Sequence, residues 1–160
     1  MARYNKNTNP RRKSEFERKL IDLRRVARVV AGGRRFSFRS TVVIGDRKGR
    51  VGIGIGKGSD ASLALEKAER QARKNMLTVP LKENGTIPFE VRSKYGAARV
   101  LMRPAASGHG LVAGGAVRTV LDMVGIKNVS AKILSHTKNK INIARAALEA
   151  LREIKIKSKG

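Results

Sequence analysis

Arg24–Val51 reads RRVARVVAGGRRFSFRSTVVIGDRKGRV, and nine of these residues are Lys or Arg against a single acid, Asp46. The cations are not a solvated block. They alternate with β-branched and aromatic residues on either side of Gly32-Gly33. β-branched and aromatic runs favour strands, and Ala31-Gly32-Gly33 supplies the positive-φ positions of a tight turn. The stretch therefore predicts a cationic β-hairpin with strands over Leu23–Val30 and Arg35–Ile44. Phe36, Phe38, Val42 and Ile44 share one face by period-two alternation. Phe36 and Phe38 are expected in the core, with base stacking as the alternative.

Working outward, Gly45–Gly49 is a turn, and Arg50–Lys57 is a third strand with Val51, Ile53 and Ile55 on one face and Gly52, Gly54 and Gly56 on the other. A face of glycines leaves the backbone bare for close approach. A helix follows over Ser59–Met76, its buried stripe Ala61, Leu65, Ala68, Ala72 and Met76. Upstream, Ser14 is placed to cap a short helix, Ser14–Ile21, with Glu15 and Glu17 in its first turn. Residues 1–13 carry five basic residues and no acid, as a disordered arm would.

Pro80 and the turn 82–85 mark a domain boundary. Beyond it come a hairpin (Thr86–Arg92 and Ala97–Arg103 about Ser93–Gly96), a glycine-rich loop to Gly115, a helix Ala116–Val124 stopped by Gly125, and a strand Val129–Ser135. A last helix, capped by Asn139, buries Ile141, Ala144, Leu148 and Leu151. Residues 155–160 form a basic tail. The fold class is α+β in two small domains, α-β-β-β-α over 14–80 and β-β-α-β-α over 81–154.

The whole chain has 160 residues, 36 Lys+Arg against 12 Asp+Glu and a net charge of +24. Such a charge repels itself unless an anion neutralises it, and nucleic acid is the leading counter-charge. A membrane surface is the other candidate. It would want a basic amphipathic helix, whereas the basic density here lies on strands, loops and tails. The absence of cysteine excludes disulfides, thiolate-bound zinc and thiol catalysis. No apolar run approaches the roughly 20 residues of a bilayer span, and the N-terminus has no apolar signal region.

Gly52–Ser59 invites a nucleotide-binding reading that its spacing refuses. A phosphate loop needs glycine where Val51 stands and Ser or Thr where Gly58 stands. The dinucleotide fingerprint needs glycine at Lys57 or Ser59. Lys57 keeps one role, since it precedes a helix N-terminus that attracts phosphate. His109 and His136 are the only histidines, and neither has a carboxylate at short helical spacing, so no catalytic constellation assembles. Gly108-His109-Gly110 with Gly114-Gly115 reads equally as a connector and as a close contact with RNA or protein. The RNA-binding candidates are Arg24, Arg25, Arg28, Gly32, Gly33, Arg34, Arg35, Arg39, Arg50 and Lys57. Arginine leads because its planar fork fits phosphate.

Several longer motifs occur in order: Gly33–Asp46 (GRRFSFRSTVVIGD), Gly49–Gly54 (GRVGIG), Ala68–Met76 (AERQARKNM), Arg103–Gly108 (RPAASG), Ala113–Arg118 (AGGAVR) and Asn142–Arg145 (NIAR). Together they resemble bacterial small-subunit ribosomal protein five over roughly residues 14–152. The resemblance implies a double-stranded-RNA-binding-like first domain and the family's second α/β domain. It implies a non-enzymatic, cytoplasmic constituent of the small ribosomal subunit, with no cofactor, metal, membrane or small-molecule substrate. Small-subunit ribosomal RNA near the central pseudoknot and head–body hinge, ribosomal proteins four and eight, and messenger RNA near its entry path are the implied partners, with a role in decoding accuracy. Arg24, Arg25 and Arg28 fall near messenger RNA. Arg25–Phe38 corresponds to the loop where spectinomycin resistance arises. Gly110 and Arg118 match positions at the interface with protein four. Ala31 departs from the lysine that the family usually has before Gly-Gly. The alternative is a free double-stranded-RNA-binding module or RNA chaperone.

Overall fold

The computed structural model describes residues 15–81 and 84–157. The basic arm, Ser14, Lys82, Glu83 and the last three residues of the tail lie outside the described residues. The elements run β1 (Glu17–Val30), β2 (Gly33–Gly45), β3 (Arg50–Gly58), α1 (Ala61–Lys74) and β4 (Met76–Thr78). The second half adds β5 (Val91–Tyr95), β6 (Ala98–Pro104), β7 (Leu111–Val112), α2 (Gly115–Val124), β8 (Val129–Ile133) and α3 (Lys140–Lys157). The architecture is α+β, with two four-stranded sheets ordered β1-β2-β3-β4 and β5-β6-β8-β7. The first sheet is antiparallel throughout, and in the second only β7 and β8 run parallel.

The expected helix Ser14–Ile21 is replaced, from Glu17 onward, by strand. Glu17 pairs with Gly45 and Arg18 with Ile44, and the register shifts between Leu20 and Asp22. That bulge breaks the period-two pattern. The capping signal of Ser14 with Glu15 and Glu17 points instead to a helix. Tertiary pairing overrides local propensity here, because β2 needs a partner on each edge.

The glycine face of β3 receives α1. A Cβ at Gly54 would lie 2.0 Å from the Ala68 carbonyl oxygen and 2.4 Å from the Ala72 nitrogen. Only methyl-sized side chains fit so close a helix, so the buried stripe is Ala64, Ala68 and Ala72. Leu65 and Met76, expected in it, pack at its margin. The helix ends at Asn75, and Met76–Thr78 turns back as β4 against Arg50–Gly52. Ser40 sits on the same face and donates to the Ala64 carbonyl at 2.7 Å.

The other face of the sheet is equally buried. Val43, Val51 and Ile53 share one continuous core with Val120, Leu121 and Val124 of α2 and Ile143, Ala147 and Leu151 of α3. Each of the Val, Ile and Leu side chains contributes about 1.5–3 kcal/mol on burial. The β2–β3 turn closes this junction. Arg47, at φ +56°, donates its N–H to the Met123 carbonyl at 3.0 Å, and Gly49 donates to Val124 at 2.9 Å. These satisfy carbonyls that the end of α2 would otherwise leave unpaired.

In the second half, Tyr95 pairs with Ala98, so the hairpin turn is Gly96-Ala97 rather than Ser93–Gly96. The short strand β7 lies inside the segment expected as a glycine-rich loop. Gly125 stops α2 in the left-handed region, as expected. The Asn139 Oδ1 accepts the Ile141 N–H at 3.1 Å, a working cap. The helix α3 continues to Lys157, because Ile154 is buried and extends its apolar face, so the tail begins later than 155.

Candidate nucleic-acid interface

β1 and β2 outgrow the rest of their sheet. Phe38, opposite Gly58, is the last β2 residue with a β3 partner. Beyond it the two strands continue alone to Val30↔Gly33, an arm of about 17 Å at the usual strand rise. Its turn is Ala31-Gly32, and the positive φ falls at Gly33 alone, at +147°. That region admits glycine and almost nothing else.

Side chains alternate between two faces along the arm. Val42 and Ile44 point to α1, so Phe38, Phe36 and Arg34 share that face. Val43 points to the opposite core, so Arg39, Ser37 and Arg35 share the other. Cross-strand pairing then assembles the site. Arg24 lies opposite Arg39, which in turn lies opposite Lys57, so three cations form one row across β1, β2 and β3. Nearer the tip, Arg28 lies directly opposite Arg35. The five cations occupy one face, with Val26 and Ser37 between the two rows. Directly opposed like charges are destabilising, so within the protein this arrangement gains nothing.

The partners of these side chains are few. Arg24 pairs with Asp22 at 2.8 Å, and Arg25 lies 3.7 Å over the Phe36 ring centroid. Arg28, Arg34, Arg35 and Arg39 make no ion pair among the described residues. Phe36 is 49% exposed, against the expectation of a core residue, while Phe38 is half-buried. No third layer covers a two-stranded arm, which is why Phe36 stays in solvent.

Two expected members have other employment or surroundings. Arg50, at the opposite end of β3 from Lys57, binds Asp46 at 2.6 Å and Glu15 at 2.5 Å and lies over Phe16. It braces the β2–β3 turn and is no part of the cation rows. Lys57 does stand near the start of α1. Asp60 already occupies that helix end, however, its carboxyl held below the usual range chiefly by the Ser62 hydroxyl. Lys57 therefore stands in the row with Arg39 and Arg24, while Asp60 holds the helix start.

Asp46 does more than occupy the turn that the sequence predicts. Its side chain is 5% exposed. Burial pushes its carboxyl up, but bonds from the Arg50 guanidinium and the Arg50 and Lys48 N–H groups outweigh burial and hold it below its ordinary value. Its signal was the Asp-x-x-Gly-Arg spacing of a closed turn.

Gly110 and Arg118 belong to the second half. Gly110 has φ +78° and donates its N–H to Asn128 Oδ1 at 3.2 Å. Arg118 is exposed on the first turn of α2. Among the described residues, no cluster of His, Cys, Asp or Glu could hold a metal, and no helix is long and apolar enough to cross a membrane.

The N-terminal sheet with its arm, followed by the second α/β layer, is matched by known sequences. Residues 16–80 match the family Ribosomal protein S5, N-terminal domain, and residues 93–158 match Ribosomal protein S5, C-terminal domain. The chain belongs to the ribosomal protein S5 family. It is 48% identical over 145 residues to small ribosomal subunit protein uS5 of Thermus thermophilus, covering 91% of this chain and 88% of that protein. It is 46% identical over 156 residues to uS5c of Cyanophora paradoxa, covering 97% and 92%. With uS5 of Acidithiobacillus ferrooxidans it shares 46% identity over 150 residues, or 94% and 84%. S5 proteins are structural, non-enzymatic constituents of the small ribosomal subunit, which agrees with the failed nucleotide and catalytic spacings.

Proposed function

We propose that the arm of this S5 chain grips small-subunit ribosomal RNA by its phosphates, near the central pseudoknot and the head–body hinge, and supports decoding accuracy from there. One observation carries the reading: Arg24, Arg39 and Lys57 in a row, with Arg28 opposite Arg35 on the same face. Opposed cations cost stability in the free protein, and a polyanion recovers that cost. RNA held in this way is recognised by shape and backbone rather than by sequence. Ala31 and Gly32 form the tip that reaches furthest, Gly33 closes the turn beside it, and Arg34 flanks them. Arg24, Arg25 and Arg28 are the residues assigned to messenger RNA near its entry path.

Gly110 and Arg118 form the contact with ribosomal protein four, and protein eight is the second protein neighbour. The support is that both lie within residues 93–158, which match the family's C-terminal domain, and that Arg118 is exposed. The place of action is the cytoplasmic small subunit. A free RNA-binding module made of the first half alone is disfavoured. Val43, Val51 and Ile53 bury against α2 and α3, and that half alone would expose them to water.

Sedimentation of small subunits from the chain's own cells tests the proposal. The chain is expected to remain with the subunits through a high-salt wash. Its recovery wholly in the free fraction would overturn the ribosomal reading.

A further inference from the structure

We propose that the reverse face of the arm is a stacking site for one unpaired RNA base, built by Phe36 and Arg25. The inference rests on the RNA reading above and gives the arm a second, different ligand group. On this face Arg25 lies opposite Phe38, Ala27 opposite Phe36 and Val29 opposite Arg34. Phe36 is 49% and Val29 77% exposed. The chain has only four phenylalanines and no tryptophan, yet one of them stands on a two-stranded arm with no core beneath it. A phosphate-binding face gains nothing from an exposed ring and valine, and neither does an edge made soluble by charge.

The Arg25 guanidinium carbon sits over Phe36, 3.7 Å from the ring centroid. It makes no ion pair among the described residues. The ring holds the guanidinium from one side, and Arg25 as a whole is exposed. A nucleobase is the flat, polarizable partner that guanidinium and phenyl planes both accept. Arg34, next to Val29, supplies the cation for a flanking phosphate. A base inside a duplex already has neighbours on both of its faces, so the site takes a bulged or looped base. The arm is thereby two-sided, with cation rows for backbone on one face and a base platform on the other. Exposed Phe and Val among arginines could also enter a membrane surface, which the experiment separates.

Full-length chain is titrated with an RNA duplex of about 16 base pairs, long enough for shape recognition, and with the same duplex carrying one bulged 2-aminopurine. The bulged RNA is expected to bind about fivefold more tightly or better, with quenched 2-aminopurine fluorescence. Phe36→Leu should remove the extra affinity and the quenching, and Phe36→Tyr should keep both. Either variant should bind the plain duplex within about twofold of the parent. Equal binding of the two RNAs without quenching overturns the stacking site and leaves the phosphate reading standing. Retained quenching in Phe36→Leu also overturns it. Binding to neither RNA overturns both readings. Phe36-dependent binding to phosphatidylserine vesicles without quenching on RNA assigns the face to a membrane and overturns the proposal.

Discussion

β1 and β2 are two different structures at their two ends. At the base, Ser40–Ile44 are buried with helices packed against both faces of the sheet. At the tip, Val29–Phe36 are almost wholly exposed, and arginines face arginines. The base follows the rules of a folded core, with apolar side chains, glycine where a helix approaches and a satisfied serine. The tip breaks a rule of sheet design by opposing like charges. One strand pair therefore carries stability at one end and binding at the other. A substitution should act on one property according to its place along the strand.

The sharpest way to break this division is Gly54→Ala. The added methyl would meet the Ala68 carbonyl oxygen at 2.0 Å, and backbone cannot yield as a side-chain end can. Lifting α1 should cost about 3 kcal/mol, the upper range for overpacking. Urea denaturation should show the loss, while the RNA affinity of the remaining folded protein stays near that of the parent. A loss below about 0.5 kcal/mol would mean that α1 is not locked on the glycines.

A smaller effect is expected at Asp46, the far end of the base. The hydrogen bonds that hold its carboxyl below the ordinary value act on the ionised form. A carboxyl depressed in the folded state stabilises it above the unfolded pKa, and the gain disappears as pH falls through the folded value. Asp46→Asn should therefore lose about 2 kcal/mol at neutral pH. Its stability should also decline less steeply than the parent's below about pH 4. Parallel acid profiles for the two proteins would show that Asp46 does not carry this step. Because the turn it shapes also bonds to α2, the loss should reach both halves of the chain.

The sequence spoke clearly where one period governed a segment. Val51–Ile55 alternates without interruption, and its glycine face correctly announced a close neighbour. The arm was legible as cationic because charge needs no register to be counted. Its rows were not, since Arg24, Arg39 and Lys57 meet only through pairing between three strands. Ser14, Glu15 and Glu17 carry a helix-start signal, and pairing with β2 overrides it. Arg50 looked equivalent to the other arginines, and only the fold gives it Asp46 and Glu15. Phe36 shares parity with the buried Val42 and Ile44, and parity says nothing about where the covering helix stops. The long collinear motifs pointed to the S5 family before any geometry, and the matched residues 16–80 and 93–158 bear that out.

The finest test of the division lies at the tip, where stability and binding should move in opposite directions. Arg28→Gln with Arg35→Gln removes one pair of opposed cations on an exposed arm. Relief of repulsion should raise folding stability by about 0.5 kcal/mol at low salt, and the gain should shrink as salt screens the parent's charges. Binding should respond the other way. Losing two phosphate contacts should make the slope of log affinity against log salt shallower by about 1.4 to 1.8, with weaker binding of duplex RNA at low salt. Should stability instead fall by more than about 1 kcal/mol, the arginines belong to the fold, and the arm is not divided from its base. Should the salt slope stay unchanged, the row nearest the tip does not touch phosphate, and the grip shifts to Arg24, Arg39 and Lys57. Only a stability gain joined to a shallower slope fits an arm whose charge is satisfied by its ligand rather than by its own chain.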